Sequence, residues 1–250
     1  MEDFLEYNNI HKSFGANAVL QGVDLTVKRG ETLVILGGSG TGKSVLLKLT
    51  IGLLNPDTGS IIVDGENVTG SSEKEWMRVR HRVSYMFQWG ALFDSMDVFD
   101  NVAFPLRESR RYSDEEVRKR VLEKLDLVGL VDSVDVFPAD LSGGMRKRAA
   151  LARSIVTEPA CILYDEPTSG LDPITADTIN RMIRRMQKVL GITSVVVTHD
   201  INSMFHVADR LAFLYNGKMA FTGTPDEART TEHPVLRGFI EGRNPDEPDT

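Results

Sequence analysis

A single cysteine, Cys161, leaves no disulfide partner within the chain, so a disulfide framework is excluded. It sits in the apolar run "ACILYD", which fits a reducing, cytosolic compartment. No stretch approaches the roughly 18 uninterrupted apolar residues of a spanning helix. The opening "MEDFLEYNNI" has an early acidic pair where a signal would be basic and then apolar. The expectation is a chain that neither crosses a membrane nor is exported by a recognisable signal. Basic charge is in deficit, with 29 Lys plus Arg against 36 Asp plus Glu and a formal net charge of −7, which repels nucleic acid at long range and excludes a general DNA or RNA binder. No His/Cys cluster has zinc spacing, so no structural metal is expected. No internal period of about 20 to 50 residues marks a solenoid or propeller. What remains is ordinary: 41% hydrophobic and 26% charged residues over 250 positions, enough for one large domain or one domain with a subdomain.

Short β-like runs open the chain, "LEYNNI", "VLQGVDLTV", "ETLVIL" and "SIIVDG", punctuated by Gly15, Gly22, Gly30 and Gly59. After "ETLVIL" glycines cluster, and "SVLLKLTIGLL" reads as a buried helix that ends before Asn55 and Pro56. From about Glu73 to Pro159 the pattern is helical; Ser113 with Glu116 forms a capping box, Val117, Val121, Leu122 and Leu125 make a stripe, and Gly129 ends it. "CILYD" is a buried strand, followed by a helix with Pro173 in its first turn, an Ile174/Thr178/Met182/Met186 ridge and Gly191 at its end. "TSVVVTHD" is another buried strand, and "LAFLYNGKMAF" is a hairpin around Asn216-Gly217. From Pro225 the sequence turns polar, and a frayed tail ending in "RNPDEPDT" is expected. Strands alternating with helices imply an α/β fold, with a mainly parallel sheet covered on both faces and interrupted by a helical insertion.

"GGSGTGKS", spanning Gly37, Gly38, Ser39, Gly40, Thr41, Gly42, Lys43 and Ser44, satisfies the phosphate-loop pattern and lies between a strand and a helix, the context that confirms such a match. Its glycines let backbone amides converge on phosphate oxygens. The helix N-terminus adds positive charge, Lys43 reaches the outer phosphates, and Ser44 offers a hydroxyl to Mg²⁺. "CILYDEP" puts Asp165 and Glu166 at the carboxyl end of a strand, where ligands of open α/β sheets bind. Asp165 would hold Mg²⁺ through water, and Glu166 would orient or deprotonate the attacking water. In "LSGGMRKRAALARSI", Ser142, Gly143 and Gly144 expose a hydroxyl and amides just before a helix. Taken alone, that is more often a cap than an anion site. Lone residues such as Phe14 and His199 are equally at home in a core or a turn. "RVRHRV" (residues 78–83) and "RKR" (146–148) read as solvated helix faces.

With these motifs in order along nearly its whole length, the chain resembles the nucleotide-binding subunit of ABC transporters. The resemblance implies a phosphate-loop NTPase (RecA-like) core over residues 1–88 and 158–224 that includes an N-terminal antiparallel β subdomain. A helical subdomain over 89–157 and a C-terminal tail over 225–250 would complete one nucleotide-binding domain. It further implies that Phe14 stacks on adenine and that Gln88 senses Mg²⁺ and the transport subunits. Leu141 to Met145 would be the signature, Asp172 would bridge a dimer, and His199 would contact the γ-phosphate. Phe14 stands where most members carry Tyr, and Met145 where Gln is common. ATP and Mg²⁺ are the implied cofactors. A second copy of the chain is the implied partner in an ATP sandwich, and a separate multispanning permease would carry the cargo. "YMFQWGALFDSMDVFDNVAFPLRE", the signature helix and "EPTSGLDPITAD" are similar to the ATPase of the bacterial Mla/Mce lipid transport group. That similarity implies phospholipid cargo, an Mce-domain substrate-binding protein, in some systems a STAS-domain partner, and a peripheral location on the cytoplasmic side of the inner membrane. An ATPase of the same type for amino acids or metal ions is the alternative. A non-transport ABC protein is disfavoured, because the 52 residues between Gln88 and Leu141 leave no room for a second ATPase domain or a long coiled coil.

Overall fold

The computed structural model describes residues 2–243. The acidic end of the expected tail, residues 244–250, lies outside the described residues. Strands β1 (Asp3–Phe14), β2 (Asn17–Lys28) and β3 (Thr32–Leu36) lead into helix α1 (Lys43–Thr50), followed by β4 (Thr58–Val63), β5 (Glu66–Asn67), α2 (Glu73–Arg82) and β6 (Val83–Met86). Helices α3 (Val98–Ser109), α4 (Asp114–Leu127) and α5 (Gly143–Ile155) precede β7 (Cys161–Asp165), α6 (Pro173–Leu190), β8 (Thr193–Thr198) and α7 (Ile201–Val207). The hairpin β9 (Arg210–Tyr215) and β10 (Lys218–Gly223) is followed by α8 (Pro225–Arg229) and α9 (Pro234–Ile240).

Two sheets result, an antiparallel one in the order β2-β1-β4-β5 and a larger one in the order β10-β9-β3-β8-β7-β6. In the larger sheet β9, β3, β8, β7 and β6 are parallel, and only β10 runs antiparallel, joined to β9 by the Asn216-Gly217 turn. Strand side chains alternate between faces, so each central strand feeds two cores. Leu33, Ile35, Cys161, Leu163, Val195 and Val197 face one side, together with the antiparallel sheet, α1 and α2. Val34, Leu36, Ile162, Tyr164 and Val196 face the other, against the helices from α3 onward.

Several expectations are corrected. The helical stretch from Glu73 is broken by β6, which pairs with β7 from Val83↔Cys161 to Met86↔Tyr164. Four residues are too few to show a period, and β6 gains its ladder only from β7, which is distant in sequence. Helix α1 ends at Thr50 and not just before Asn55. On α6 the buried residues are Ile179, Asn180, Ile183 and Met186, whereas Ile174 is 82% exposed and Thr178 is exposed. The apolar face is thus rotated from the expected ridge. Over residues 225–240 the chain does not fray: α8 opens on a Thr224/Glu227 capping box, and Ala228 and Leu236 are buried in the helical-side core. By contrast, α4 has its Ser113/Glu116 capping box and buried Val117, Val121 and Leu125, and α6 ends at Gly191, as read from the sequence.

Candidate nucleotide site

Parallel strands leave all their carboxyl ends on one edge, and four adjacent strands, β3-β8-β7-β6, deliver the candidate residues there. The phosphate loop follows β3, His199 follows β8, Asp165 ends β7 with Glu166 next, and Gln88 lies two residues past β6.

Gly37 starts the loop against the backbone of β9. A β-carbon there would stand 2.6 Å from the Leu214 carbonyl oxygen, so only glycine fits without moving a strand. Thr41 Oγ1 donates to the Gly38 carbonyl at 3.0 Å. Lys43 is 6% exposed and its Nζ donates to the carbonyls of Gly37 and Gly38, both at 2.8 Å. The same ammonium lies 3.6 Å from Glu166 Oε1. Burial pushes its pKa down, and the Glu166 carboxylate opposes that shift. A cation in this poorly hydrated setting attracts phosphate oxygens more strongly than an exposed lysine.

Ser44 Oγ donates to Asp165 Oδ1 at 2.6 Å, and the Tyr85 hydroxyl donates to Asp165 Oδ2 at 2.7 Å. A hydroxyl and a carboxylate in contact are the hard oxygen donors that Mg²⁺ accepts when substrate phosphates complete its shell, so these residues fit that ion. Glu166, 7% exposed, has φ of 47°, a left-handed conformation that costs a non-glycine residue about 1–3 kcal/mol. Its amide donates to the Val197 carbonyl at 3.0 Å. Its carboxylate accepts from Thr198 Oγ1 at 3.3 Å and meets His199 Nδ1 at 3.0 Å. Gln88 Nε2 donates to Ser169 Oγ at 3.4 Å.

Not every candidate joins this cluster. Phe14 ends β1 and is 47% exposed, with the Lys12 ammonium 5.5 Å from its ring centroid, so the core alternative is excluded. Ser142 caps α5, accepting from the Met145 amide at 3.2 Å. A β-carbon on Gly143 or Gly144 would meet Leu171 or Thr175, so this motif packs against the start of α6. Asp172 caps α6 by accepting from the Ile174 and Thr175 amides, both at 3.0 Å. Among the described residues, no hydrogen bond or ion pair links Phe14, Ser142, Gly143, Gly144 or Asp172 to the phosphate loop.

Tyr85, Thr198 and Lys147 were missed. The "RKR" triplet is not a uniform solvated face: Arg146 is exposed, Lys147 is 5% exposed, and Arg148 Nη1 donates to the Val128 and Gly129 carbonyls at 3.1 Å each. Of the other basic run, Arg82 pairs with Asp64 and Glu66, and Arg80 Nε donates to the Ile51 carbonyl. Burial pushes the Lys147 amine down to about 8, against the pull of the Glu166 and Asp165 carboxylates. Its only sequence signal was a basic residue at helical spacing from the buried Ala150 and Leu151.

Comparison with known proteins agrees with this geometry. Residues 20–169 match the family model described as ABC transporter. The chain is 45% identical over 239 residues, 96% of its length and 67% of the relative's, to the probable ribonucleotide transport ATP-binding protein mkl of Mycobacterium tuberculosis. It is 39% identical over 240 residues, 96% of its length and 89% of the relative's, to the intermembrane phospholipid transport system ATP-binding protein MlaF of Escherichia coli. Among solved structures, the dimeric post-hydrolysis state of the ATP-binding cassette MJ0796 bound to ADP and Pi superposes with a TM-score of 0.81 at 32% identity, covering 88% of this chain and 98% of that one.

Proposed function

The chain belongs to the ABC transporter family as an ATP-hydrolysing subunit, and from that premise we propose that it powers phospholipid transport between bacterial envelope membranes through a separate permease. One observation carries the hydrolytic reading: Lys43, Ser44, Asp165, Glu166, His199 and Gln88 converge on one edge of the parallel sheet. Cassettes of this family dimerise and work with membrane permeases.

In the proposed cycle the loop amides of residues 37–44 and Lys43 hold the outer phosphates, while Phe14 stacks on adenine. Ser44, Asp165 and Gln88 would hold Mg²⁺, which when bound neutralises charge on the phosphate oxygens. Glu166 orients the attacking water and accepts its proton, and His199, in contact with that carboxylate, reaches the γ-phosphate. Among the described residues, Ser142, Gly143 and Gly144 make no hydrogen bond to the chain's own phosphate loop, which supports a role elsewhere. In this reading they serve the ATP of a second copy, where the N-terminus of α5 would supply donors to the γ-phosphate, and Asp172 would lie at the seam. ATP then holds the two copies together, and hydrolysis releases them.

The phospholipid reading is supported by the named E. coli relative, whose length the chain nearly spans. The ribonucleotide named for the mycobacterial relative is a second reading, and that relative extends a third beyond the match. Cargo binds the permease, so the location follows from it: the chain, with no described helix long and apolar enough to cross a membrane, would sit peripherally on the cytoplasmic face of the inner membrane. An Mce-domain protein and a STAS-domain protein are the further partners proposed. The test is mild-detergent purification of the chain with its membrane partners, followed by mass spectrometry of proteins and lipids. A multispanning permease with an Mce-domain protein and bound phospholipid is expected. A permease that carries nucleotide and no lipid would remove the phospholipid reading.

A further inference from the structure

Lys147 stands five residues after Ser142 on α5 and carries an amine into the interior, where it is 5% exposed. A buried ammonium is tolerated only where acceptors surround it. Here Nζ donates to two backbone carbonyls, that of Gln88 and, at 3.2 Å, that of Glu166. These carbonyls follow different strands, β6 and β7. The loop after Gln88 has a second hold from α5, because Arg153 donates to the Gly90 carbonyl at 2.6 Å and the Ala91 carbonyl at 2.8 Å. Glu166 is the more demanding partner. Its left-handed backbone aims the carboxylate at Thr198 and His199, its amide donates to Val197, and its carbonyl accepts from both Lys147 and the Ser169 amide, each at 3.2 Å, so Lys147 is the donor that ties it to α5.

We propose that Lys147 is a positioning residue for ATP hydrolysis, holding Gln88 and Glu166 in register with the helix whose first turn the chain offers to a second copy. One side chain then ties the chain's own hydrolytic groups to the element that serves the other ATP. A thermal or ligand-driven shift of α5 moves the Glu166 and Gln88 carbonyls with it. The proposal rests on the reading of Glu166 as the group that prepares the attacking water.

The test compares wild-type full-length chain with K147M, K147Q, K147R and E166Q, measuring phosphate release for kcat and KM, binding of a fluorescent ATP analogue, and the thermal midpoint. K147M is expected to lower kcat roughly ten- to a hundredfold, the scale of a small misplacement near reacting groups, with KM and nucleotide affinity unchanged. K147R, which keeps a charged donor, recovers most of the turnover. If K147M does not accumulate as folded protein, K147Q, which keeps a donor and loses the charge, is read in the same way. Wild-type kcat in K147M or K147Q beside an inactive E166Q overturns the proposal and leaves the site reading standing. So does a loss in which kcat, affinity and thermal midpoint fall together and K147R gives no recovery. Wild-type turnover in E166Q would remove the Glu166 reading itself, and the proposal with it.

Discussion

At the proposed nucleotide site, Lys43 and Phe14 would contribute to binding on different scales. Lys43 is buried and, in the proposed site, would hold the outer phosphates by charge-assisted hydrogen bonds, each worth about 1.5–3 kcal/mol. Phe14, which is 47% exposed, would add about 1–3 kcal/mol in total by stacking on a base. Lys43→Ala is therefore expected to cut turnover by roughly a hundredfold or more, and Phe14→Ala to weaken ATP binding about tenfold with kcat nearly intact. Isothermal titration together with phosphate release distinguishes them, and wild-type turnover in Lys43→Ala would overturn the site assignment. The phosphate-loop pattern, Asp165 and Glu166 were legible in the sequence because their signals are local: glycines and a lysine between a strand and a helix, carboxylates at a strand end; His199 was reached only through the family resemblance. Lys147 and Tyr85 were not legible. Their partners, Glu166 and Asp165, are 19 and 80 positions away and are brought close only by the packing of α5 beside the sheet and by the pairing of β6 with β7.

At the scale of elements, local signals fixed the ends of helices better than their facing. The capping box at Ser113 and the glycine at 191 satisfy end groups by near neighbours and were read from the sequence, whereas the equally local boxes at Ser72 and Thr224 were not. Which stripe of α6 is buried depends on what packs against it. The helix meets the helical-side core through Ile179, Ile183 and Met186, leaving Ile174 outside. Ile183→Ala should cost about 2–5 kcal/mol in urea unfolding, whereas Ile174→Ala should stay within about 0.5 kcal/mol. Equal costs would mean that α6 is rotated from the position described. The missed strand β6 has the same cause: its edge position on the sheet comes from pairing with β7 and from no periodicity of its own.

For the whole molecule, Asp209 shows how distant segments are closed into one unit. It accepts from the Thr32 amide at 2.9 Å and from Arg184 Nη1 at 2.7 Å, and Gln187 also donates to it, so one carboxylate joins β3, α6 and the start of β9. Partial burial raises its pKa, but these donors outweigh burial and hold it below the usual carboxylate range. A carboxylate depressed in the folded state stabilises the fold above its unfolded pKa of about 3.9 and loses that contribution as pH falls through its folded value. Asp209→Asn should lower the urea midpoint at pH 7 by the equivalent of about 1 kcal/mol, discounted for its partial exposure, and the gap from wild type should close in the acid range. A gap that persists unchanged at low pH would assign the effect to shape and not to charge. The sequence by itself determined the family, the phosphate loop, the alternation of strands and helices and the helix ends marked by Ser113 and Gly191, since each depends on residues within a turn or two of one another. Tertiary structure alone decided the edge strand, the buried face of α6, the folding of residues 225–240 and the grip of Lys147 on Gln88 and Glu166. Those are set by which surfaces meet across the sheet, and contacts between residues tens of positions apart leave no mark in local spacing.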